Sequence, residues 1–597
     1  MLQGFVQIGV FFAIVVALAP LLGRYMARVF GGERVALGRV VRPLERTLYR
    51  VLRVDPEHSQ GWKAYATSLL AFSFVGFLLL YLILRTQSIH PGALNPQGFH
   101  SATWDVSFNT VSSFVTNTNW QFYGGETTMT YLSQMAGLAV QNFLSAAVGI
   151  AVLVALIRAL AARGERTRGA GDAIAAPDGI GSFWVDITRA TLYVLAPLSI
   201  AGALVLASQG VLQDFSHYLH FTTVTGAASQ LPGGPVASQI AIKMLGTNGG
   251  GFFNVNSAMP FENPSAFTNW VEMGLMFVIP ASLPFTYGRM VANRRQGVAI
   301  FGVMLTLLLV STVVVYVAEQ HGTPAQHLAG VSTHAMSGSA GGNLEGKEQR
   351  FGIASTSAFT ALTTVISCGA VNAALESFTG IGGLVPFADL AYGESVFGGV
   401  GTGLYTMLLY VLLAVFLGGL MVGRTPEYLG KKLAARDIKL VTIGTIVTPF
   451  AVLVSTTIAL ATKYGRPSVF ASGPQGFSET LYAYMSQANN NGSALAGFTG
   501  YVAPNAGNLG AHGITFADLL GGVTMLFGRY VPILVVLAIA GSLVTRRVSP
   551  AGLGTMRTDT PTFAFMLGGV VILVGALTFF PALLLGPVVQ GLTTRLF

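Results

Sequence analysis

Charge is scarce in this chain. Asp, Glu, Lys and Arg make up 10% of its 597 residues, against about 25% in a soluble domain. That deficit excludes an ordinary water-soluble fold. Cysteine is almost absent, and the single Cys368 excludes an intrachain disulfide. A lone buried thiol behaves as a small hydrophobe, so Cys368 carries no redox role here. Histidines are few and scattered: His321, His327 and His334 share one loop, and no His/Cys/Glu ligand cluster or nucleophile–base motif accompanies them.

Hydrophobic residues, by contrast, reach 52%. Apolar runs of about 20 residues, each enough to cross about 30 Å of hydrocarbon, predict ten spanning helices. They lie near 4–22, 64–86, 133–160, 185–209, 270–291, 298–319, 402–421, 440–462, 519–545 and 562–590. Before the first run, Met1-Leu2-Gln3-Gly4 holds no Lys or Arg, and no cleavage site follows. That run is expected to be a retained helix, not a signal peptide.

The formal net charge of +9 is not a nucleic-acid signal, because of where the charges sit. Arg24, Arg28, Arg34, Arg39, Arg42, Arg46, Arg50 and Arg53 follow the first run, and Arg158, Arg163, Arg166 and Arg168 follow the third. Arg289, Arg294 and Arg295 follow the fifth; Arg424, Lys431, Lys432, Arg436 and Lys439 the seventh; Arg546, Arg547 and Arg557 the ninth. With ten spans these loops share one face, which the positive-inside rule assigns to the cytoplasm. Both termini are then expected on the outer side.

Four polar stretches interrupt the apolar background, all in outward loops: Thr116-Asn117-Thr118-Asn119-Trp120-Gln121, Gly246-Thr247-Asn248-Gly249-Gly250-Gly251, Ser367-Cys368-Gly369-Ala370-Val371-Asn372 and Asn490-Asn491-Gly492-Ser493. Each follows a segment too short to span: Phe108–Val115, Ser238–Leu245, Thr356–Ile366 and Glu479–Ala488. Such segments fit half-helices that enter the membrane and return as extended chain. Non-helical backbone at that depth survives only when buried in protein or lining a wet cavity. Four loops meeting on one axis satisfy that condition together.

The chemistry follows from residue type. A dehydrated cation needs a ring of oxygens, and backbone carbonyls provide it without fixed charge. Gly249, Gly369 and Gly492 allow positive φ, so successive carbonyls can turn inward. The half-helix C-termini add partial negative charge. No Asp or Glu lies within the motifs, which favours a monovalent cation over Ca²⁺ or Mg²⁺. The expected filter comprises Thr116, Asn117, Thr118, Asn119, Thr247, Asn248, Gly249, Gly250, Ser367, Cys368, Gly369, Asn490, Asn491 and Gly492. Thr118 is expected where the other loops have glycine. Lys243 would oppose cations if it faced the axis, so it is expected to face away and be paired. Glu262, Glu272, Glu376, Asp389 and Glu394 are read as solvated or paired groups outside the binding site.

The expected fold is an all-α polytopic membrane protein with about ten transmembrane helices. It has four pseudo-repeats of helix, pore helix, filter loop and helix around a pseudo-fourfold axis. Residues 1–63 form an extra helix and basic loop. The repeats cover 64–162, 183–296, 297–436 and 437–547, and 558–597 is an extra C-terminal helix.

At these four motifs the sequence resembles the potassium-binding subunit family of the bacterial potassium-transporting P-type ATPase. Further similar stretches are Gly423-Arg424-Thr425-Pro426-Glu427-Tyr428-Leu429-Gly430-Lys431-Lys432, Glu345-Gly346-Lys347-Glu348-Gln349-Arg350-Phe351-Gly352 and Gly528-Arg529-Tyr530. The resemblance covers essentially the whole chain. It implies ten spans, K⁺ as the ion, and the bacterial inner membrane. It also implies partners: a catalytic P-type ATPase subunit, an accessory subunit with a periplasmic domain, and a small single-span subunit. The Arg-rich segment 24–60 is longer than the family pattern.

Transport against a steep gradient asks for a motor. A potential of 100 mV gives about 2.3 kcal/mol per charge, which concentrates K⁺ only about fiftyfold. The chain has no Gly-x-x-x-x-Gly-Lys-Ser/Thr loop and no Asp-Lys-Thr-Gly-Thr phosphorylation motif. It is therefore expected to bind no ATP and either to hand ions to a separate ATPase subunit or to act as an autonomous channel or cation symporter. Gly398–Gly403, with Gly401 at its centre, fits either a loop beneath the filter or a flexible helix start. Arg424 and Arg529 fit either an electrostatic barrier or positive-inside anchors. Gln121 fits either an ion exit or a loop-bracing hydrogen bond.

Overall fold

The structure, a computed structural model, describes residues 1–162, 179–336, 341–500, 515–550 and 555–589. Arg163, Arg166 and Arg168 of the second basic cluster, and 590–597 of the expected C-terminal unit, lie outside the described residues. Among the described residues, ten helices are long and apolar enough to cross a membrane. In chain order they are Leu2–Phe30, Trp62–Arg85, Ser133–Ala161, Phe183–Ser208, Ala266–Met290, Arg294–Leu328, Thr402–Met421, Ala435–Ala461, Phe516–Val544 and Pro561–Val588. They are called spans one to ten below.

The first span runs eight residues past its expected end. At about 1.5 Å per residue its 29 residues exceed the hydrocarbon thickness. Its last two turns carry Arg24 and Arg28 out of the apolar layer. Two shorter helices were not anticipated. Gly38–Val51 lies on the basic side after span one, and Gly380–Ala391 precedes span seven.

Four half-helices occupy loops on the side opposite the basic clusters: Trp104–Val115, Val236–Leu245, Gly352–Val365 and Gly473–Ala488. The first packs on spans two and nine, the second on four and five, the third on six, and the fourth on eight and nine. Span three is the most enclosed, with 83% of its apolar window buried, against 28% for spans one and two. A helix apolar on all sides belongs inside such an assembly. Span three carries its polar residues Gln141, Asn142 and Ser145 into that interior, where all three are buried.

Two small hairpins are the named strands among the described residues. Leu219–Thr222 pairs with Ala228–Leu231, and Glu427–Tyr428 with Lys431–Lys432. The second turns through Leu429 (φ 50°) and Gly430 (φ 77°), the two positive-φ positions of a tight hairpin. This places Lys431 inward, where its Nζ donates to Ala159 O and Leu543 O at 2.7 Å each. These carbonyls belong to the last turns of spans three and nine, where helix carbonyls lack partners. Burial and the nearby Arg546 pull the Lys431 amine down to about 8.

Candidate functional site

Each half-helix ends in the same way. The residue two past its last helical position donates its N–H three residues back: Asn117 to Phe114, Thr247 to Met244, Ser367 to Thr364, Asn490 to Gln487. The next residue reaches five back: Thr118 to Ser113, Asn248 to Lys243, Cys368 to Thr363, Asn491 to Ser486. φ is positive at the first of these and again two residues on. The pairs are Asn117 (72°) and Asn119 (52°), Thr247 (49°) and Gly249 (75°), Ser367 (55°) and Gly369 (87°), Asn490 (50°) and Gly492 (101°).

This register corrects the expectation for the first loop. Asn119, not Thr118, stands where the others have glycine. Thr118 is equivalent to Asn248, Cys368 and Asn491. Asparagine tolerates the left-handed region better than most residues, and here its side chain is also anchored. Asn119 Nδ2 donates to Gly249 O and to Asn142 Oδ1, both at 2.9 Å.

The loops abut one another in a closed cycle. Asn117 Nδ2 donates to Thr247 O at 2.9 Å, linking the first loop to the second. A Cβ on Gly249 would lie 1.9 Å from Cys368 O, linking second to third. A Cβ on Gly369 would lie 1.8 Å from Asn491 O, and Ser367 Oγ donates to Asn489 O at 2.7 Å, linking third to fourth. A Cβ on Gly492 would lie 2.1 Å from Thr118 O, and Asn490 Nδ2 reaches Thr118 Oγ1 at 2.9 Å, closing fourth to first. Thr118, Asn248, Cys368 and Asn491 are each fully buried. Their carbonyl oxygens accept no hydrogen bond from the described residues. Buried carbonyls ordinarily find partners, so four equivalent ones left open together mark a place for an oxygen-seeking guest.

The remaining expected site residues hold this frame. Thr116 caps the first half-helix, its Oγ1 against Ser112 O (2.7 Å) and Thr118 Oγ1 (2.8 Å). Asn248 Nδ2 donates to Asn117 Oδ1 at 2.6 Å. Lys243 is buried with Glu262 at 2.8 Å, and its Nζ donates to Gly250 O at 2.7 Å. The Gly250 carbonyl is thus turned onto the lysine. Gln121 spends its amide on the second loop: Gly251 N donates to its Oε1 at 2.8 Å, and its Nε2 to Gly251 O at 3.1 Å. Of the two readings of Gln121, the geometry here is that of the brace. The other carboxylates also have partners: Glu272 with Ser257, Asp389 with Ser311 and Thr364, Glu376 with Gln475 and the Gly497 N–H.

Residues 392–401 interrupt the chain between Gly380–Ala391 and span seven, and they sit under the loops. Val400 N donates to Thr247 Oγ1 at 2.8 Å, and Gly398 N to Val365 O, the end of the third half-helix, at 3.3 Å. Gly401 (φ 89°) lies against the backbone of Gly149 in span three, where a Cβ would meet it at 2.2 Å. Arg529 of span nine is buried beside this break. It donates to Thr402 Oγ1 at 2.6 Å and Ser145 O at 3.2 Å, with Glu394 at 3.9 Å. Arg424 is exposed, in the loop after span seven, and is not brought to the site.

Sequence reasoning missed Asn142, Ser145 and Gly149. Their spacing of three and four puts them on one face of span three, and a polar stripe in so apolar a helix was the available signal.

This geometry defines a class: a polytopic helical membrane protein whose half-helices present buried backbone oxygens to a common centre. Residues 9–592 match the potassium-transporting ATPase A subunit family, and the chain belongs to it. It is 50% identical to the potassium-transporting ATPase potassium-binding subunit of Sorangium cellulosum over 599 residues, covering 99% of both chains. It is 49% identical to that of Rhizobium rhizogenes over 99% of this chain and 98% of the relative. Among solved structures, the potassium transporter TrkH from Vibrio parahaemolyticus aligns with 88% of this chain and 97% of its own, at 14% identity and a TM-score of 0.49.

Proposed function

We propose that the chain is the potassium-binding, channel-like subunit of an ATP-driven import complex in a bacterial inner membrane, with both termini periplasmic. The four loops form one selectivity filter around a pseudo-fourfold axis, and the chain divides into four repeats flanked by an extra helix at each end. K⁺ is the cargo. The observation that carries this reading is the set of matched, buried, donor-free carbonyls at Thr118, Asn248, Cys368 and Asn491. A weakly hydrated monovalent cation suits neutral oxygens. Glu262, held beside the second loop, is neutralised by Lys243.

The chain performs no hydrolysis itself in this reading. A catalytic P-type ATPase subunit supplies the energy, joined by an accessory subunit with a periplasmic domain and a small single-span subunit. The break at 392–401 supports a blocked straight path, because its backbone is tied to loop two, half-helix three and span three. A small cavity of about 30 Å³ opens beside the fourth loop, lined by Asn490, Glu394, Thr402 and Arg529 among others.

The test is to purify the chain with its co-expressed ATPase and measure hydrolysis against K⁺. Saturable stimulation by K⁺ that weakens on altering Gly369 supports the reading. Sustained K⁺ flux through the isolated chain in liposomes without ATP refutes it in favour of an autonomous channel.

A further inference from the structure

Helix Gly38–Val51, on the basic side after span one, has three distinct faces. One face packs on the protein. Glu45 there accepts from Tyr49 (2.9 Å), Tyr193 (2.6 Å) and Arg189 (3.2 Å) at the start of span four. A second face carries Arg39, Arg42 and Arg46. A third presents Val40, Leu44 and Val51, which are 77%, 51% and 71% exposed. These positions fall on one stripe at helical spacing. An exposed apolar stripe on one side of a helix and an arginine stripe on the other is the pattern of a helix lying in the membrane interface.

The arginine face lines a cavity of about 590 Å³ together with Arg34, Arg189 and Tyr193. Arg189 is occupied by Glu45, and the other lining carboxylate, Glu33, is held by Arg28 at 2.9 Å. Arg34, Arg39, Arg42 and Arg46 make no ion pair with a carboxylate among the described residues. Four uncompensated guanidinium groups around one cavity call for an anion, and guanidinium geometry matches phosphate oxygens. The apolar stripe on the same helix chooses among phosphates, because it sets the helix in the lipid interface and a free ion has no use for it.

We propose that this cavity binds the phosphodiester headgroup of an anionic phospholipid in the leaflet on the basic side, with the acyl chains running beside Val40, Leu44 and Val51. The site fastens the end of span one to the start of span four through a lipid. This assignment does not depend on the ion filter.

The test uses the full-length chain in detergent with phosphatidylglycerol and phosphatidylcholine in competition, the retained lipid being counted by native mass spectrometry. Each arginine near an anionic surface contributes about fivefold in affinity, so Arg39→Gln/Arg42→Gln/Arg46→Gln is expected to lower retention of phosphatidylglycerol about 100-fold. Phosphatidylcholine retention should not change. The corresponding triple lysine variant keeps the charge and should stay within about tenfold of wild type. Raising salt from about 0.1 to 1 M shortens the Debye length from about 10 to 3 Å, and should release the lipid from the unaltered chain. Unchanged phosphatidylglycerol selectivity in the glutamine variant overturns the proposal, as does salt-insensitive retention by wild type. Displacement by millimolar inorganic phosphate also overturns it, by making this a free-anion site.

Discussion

Replacing Gly249 by alanine tests the filter at its tightest contact. The new Cβ would sit 1.9 Å from the Cys368 carbonyl oxygen, where ordinary contact begins near 3.4 Å. Either loop two or that oxygen must therefore move by more than an ångström. The backbone also objects, because φ at Gly249 is 75° and an L-residue there costs about 1–2 kcal/mol. If the four open carbonyls hold the ion as proposed, displacing one of them removes a charge-assisted contact of about 1.5–3 kcal/mol. The K⁺ concentration for half-maximal ATPase stimulation should then rise about ten- to 100-fold, and discrimination against Rb⁺ should fall. The assay is a K⁺ and Rb⁺ titration of hydrolysis by the purified complex, after gel filtration confirms assembly. Gly274→Ala in span five is the control. Its Cβ would meet nothing within 4 Å, and alanine improves helix propensity by about 1 kcal/mol. If Gly249→Ala assembles and shows wild-type affinity and selectivity, the carbonyls at the loop boundaries do not bind the ion.

Lys243→Met leaves Glu262 buried and unpaired, and should destabilise the chain by about 3–5 kcal/mol, read as a lower thermal transition; adding Glu262→Gln should recover part of that loss. Arg529→Gln removes the charge held between Thr402 and Ser145 and should loosen the break, so the isolated chain in liposomes should pass K⁺ that wild type retains. Flux equal to wild type would contradict the pinning role. Lys431 gives a pH dependence. Its folded pKa, about 8, lies below the usual 10.5, so the unfolded chain binds more protons between those values and stability rises with pH across that window. The thermal transition of wild type relative to Lys431→Met should therefore climb from pH 8 to 10; a flat or falling difference would show that the amine is not depressed.

The spans were legible because crossing hydrocarbon needs about 20 apolar residues whatever surrounds them. Span seven was placed at 402–421 from hydropathy alone and is found there. The half-helices were legible only at their C-terminal ends. Trp104–Val115 begins four residues before its expected start, because its first turn holds Asp105 and Ser107, which are polar yet buried. Helix Gly38–Val51 was invisible for a related reason. Its arginines read as a basic loop, while its apolar stripe is too sparse to register as a run. The register error at Thr118 has another origin. Glycine was taken as the marker of the left-handed position, but Asn119 adopts the same conformation and fixes it with two side-chain bonds.

Residues that hold others in place were hardest to see, because their partners are distant in sequence. Thr247 bonds Val400, 153 positions away, and Arg529 bonds Ser145 across 384. These contacts couple the oxygen ring to the interruption below it. Thr247 lies one residue before Asn248, whose carbonyl belongs to the ring, and its hydroxyl fixes the backbone of the break. The break in turn rests on Gly149, where close backbone approach requires glycine on both sides. A cation drawn in by the ring thus meets, directly beneath, a segment anchored to the same loops. An open channel gains nothing from such an anchor, since at 100 mV it can at best concentrate K⁺ about fiftyfold. A pump does gain, because every ion that slips straight through runs back down the gradient that ATP has built. In the proposed reading, selectivity and closure are therefore one requirement, and Thr247 serves both.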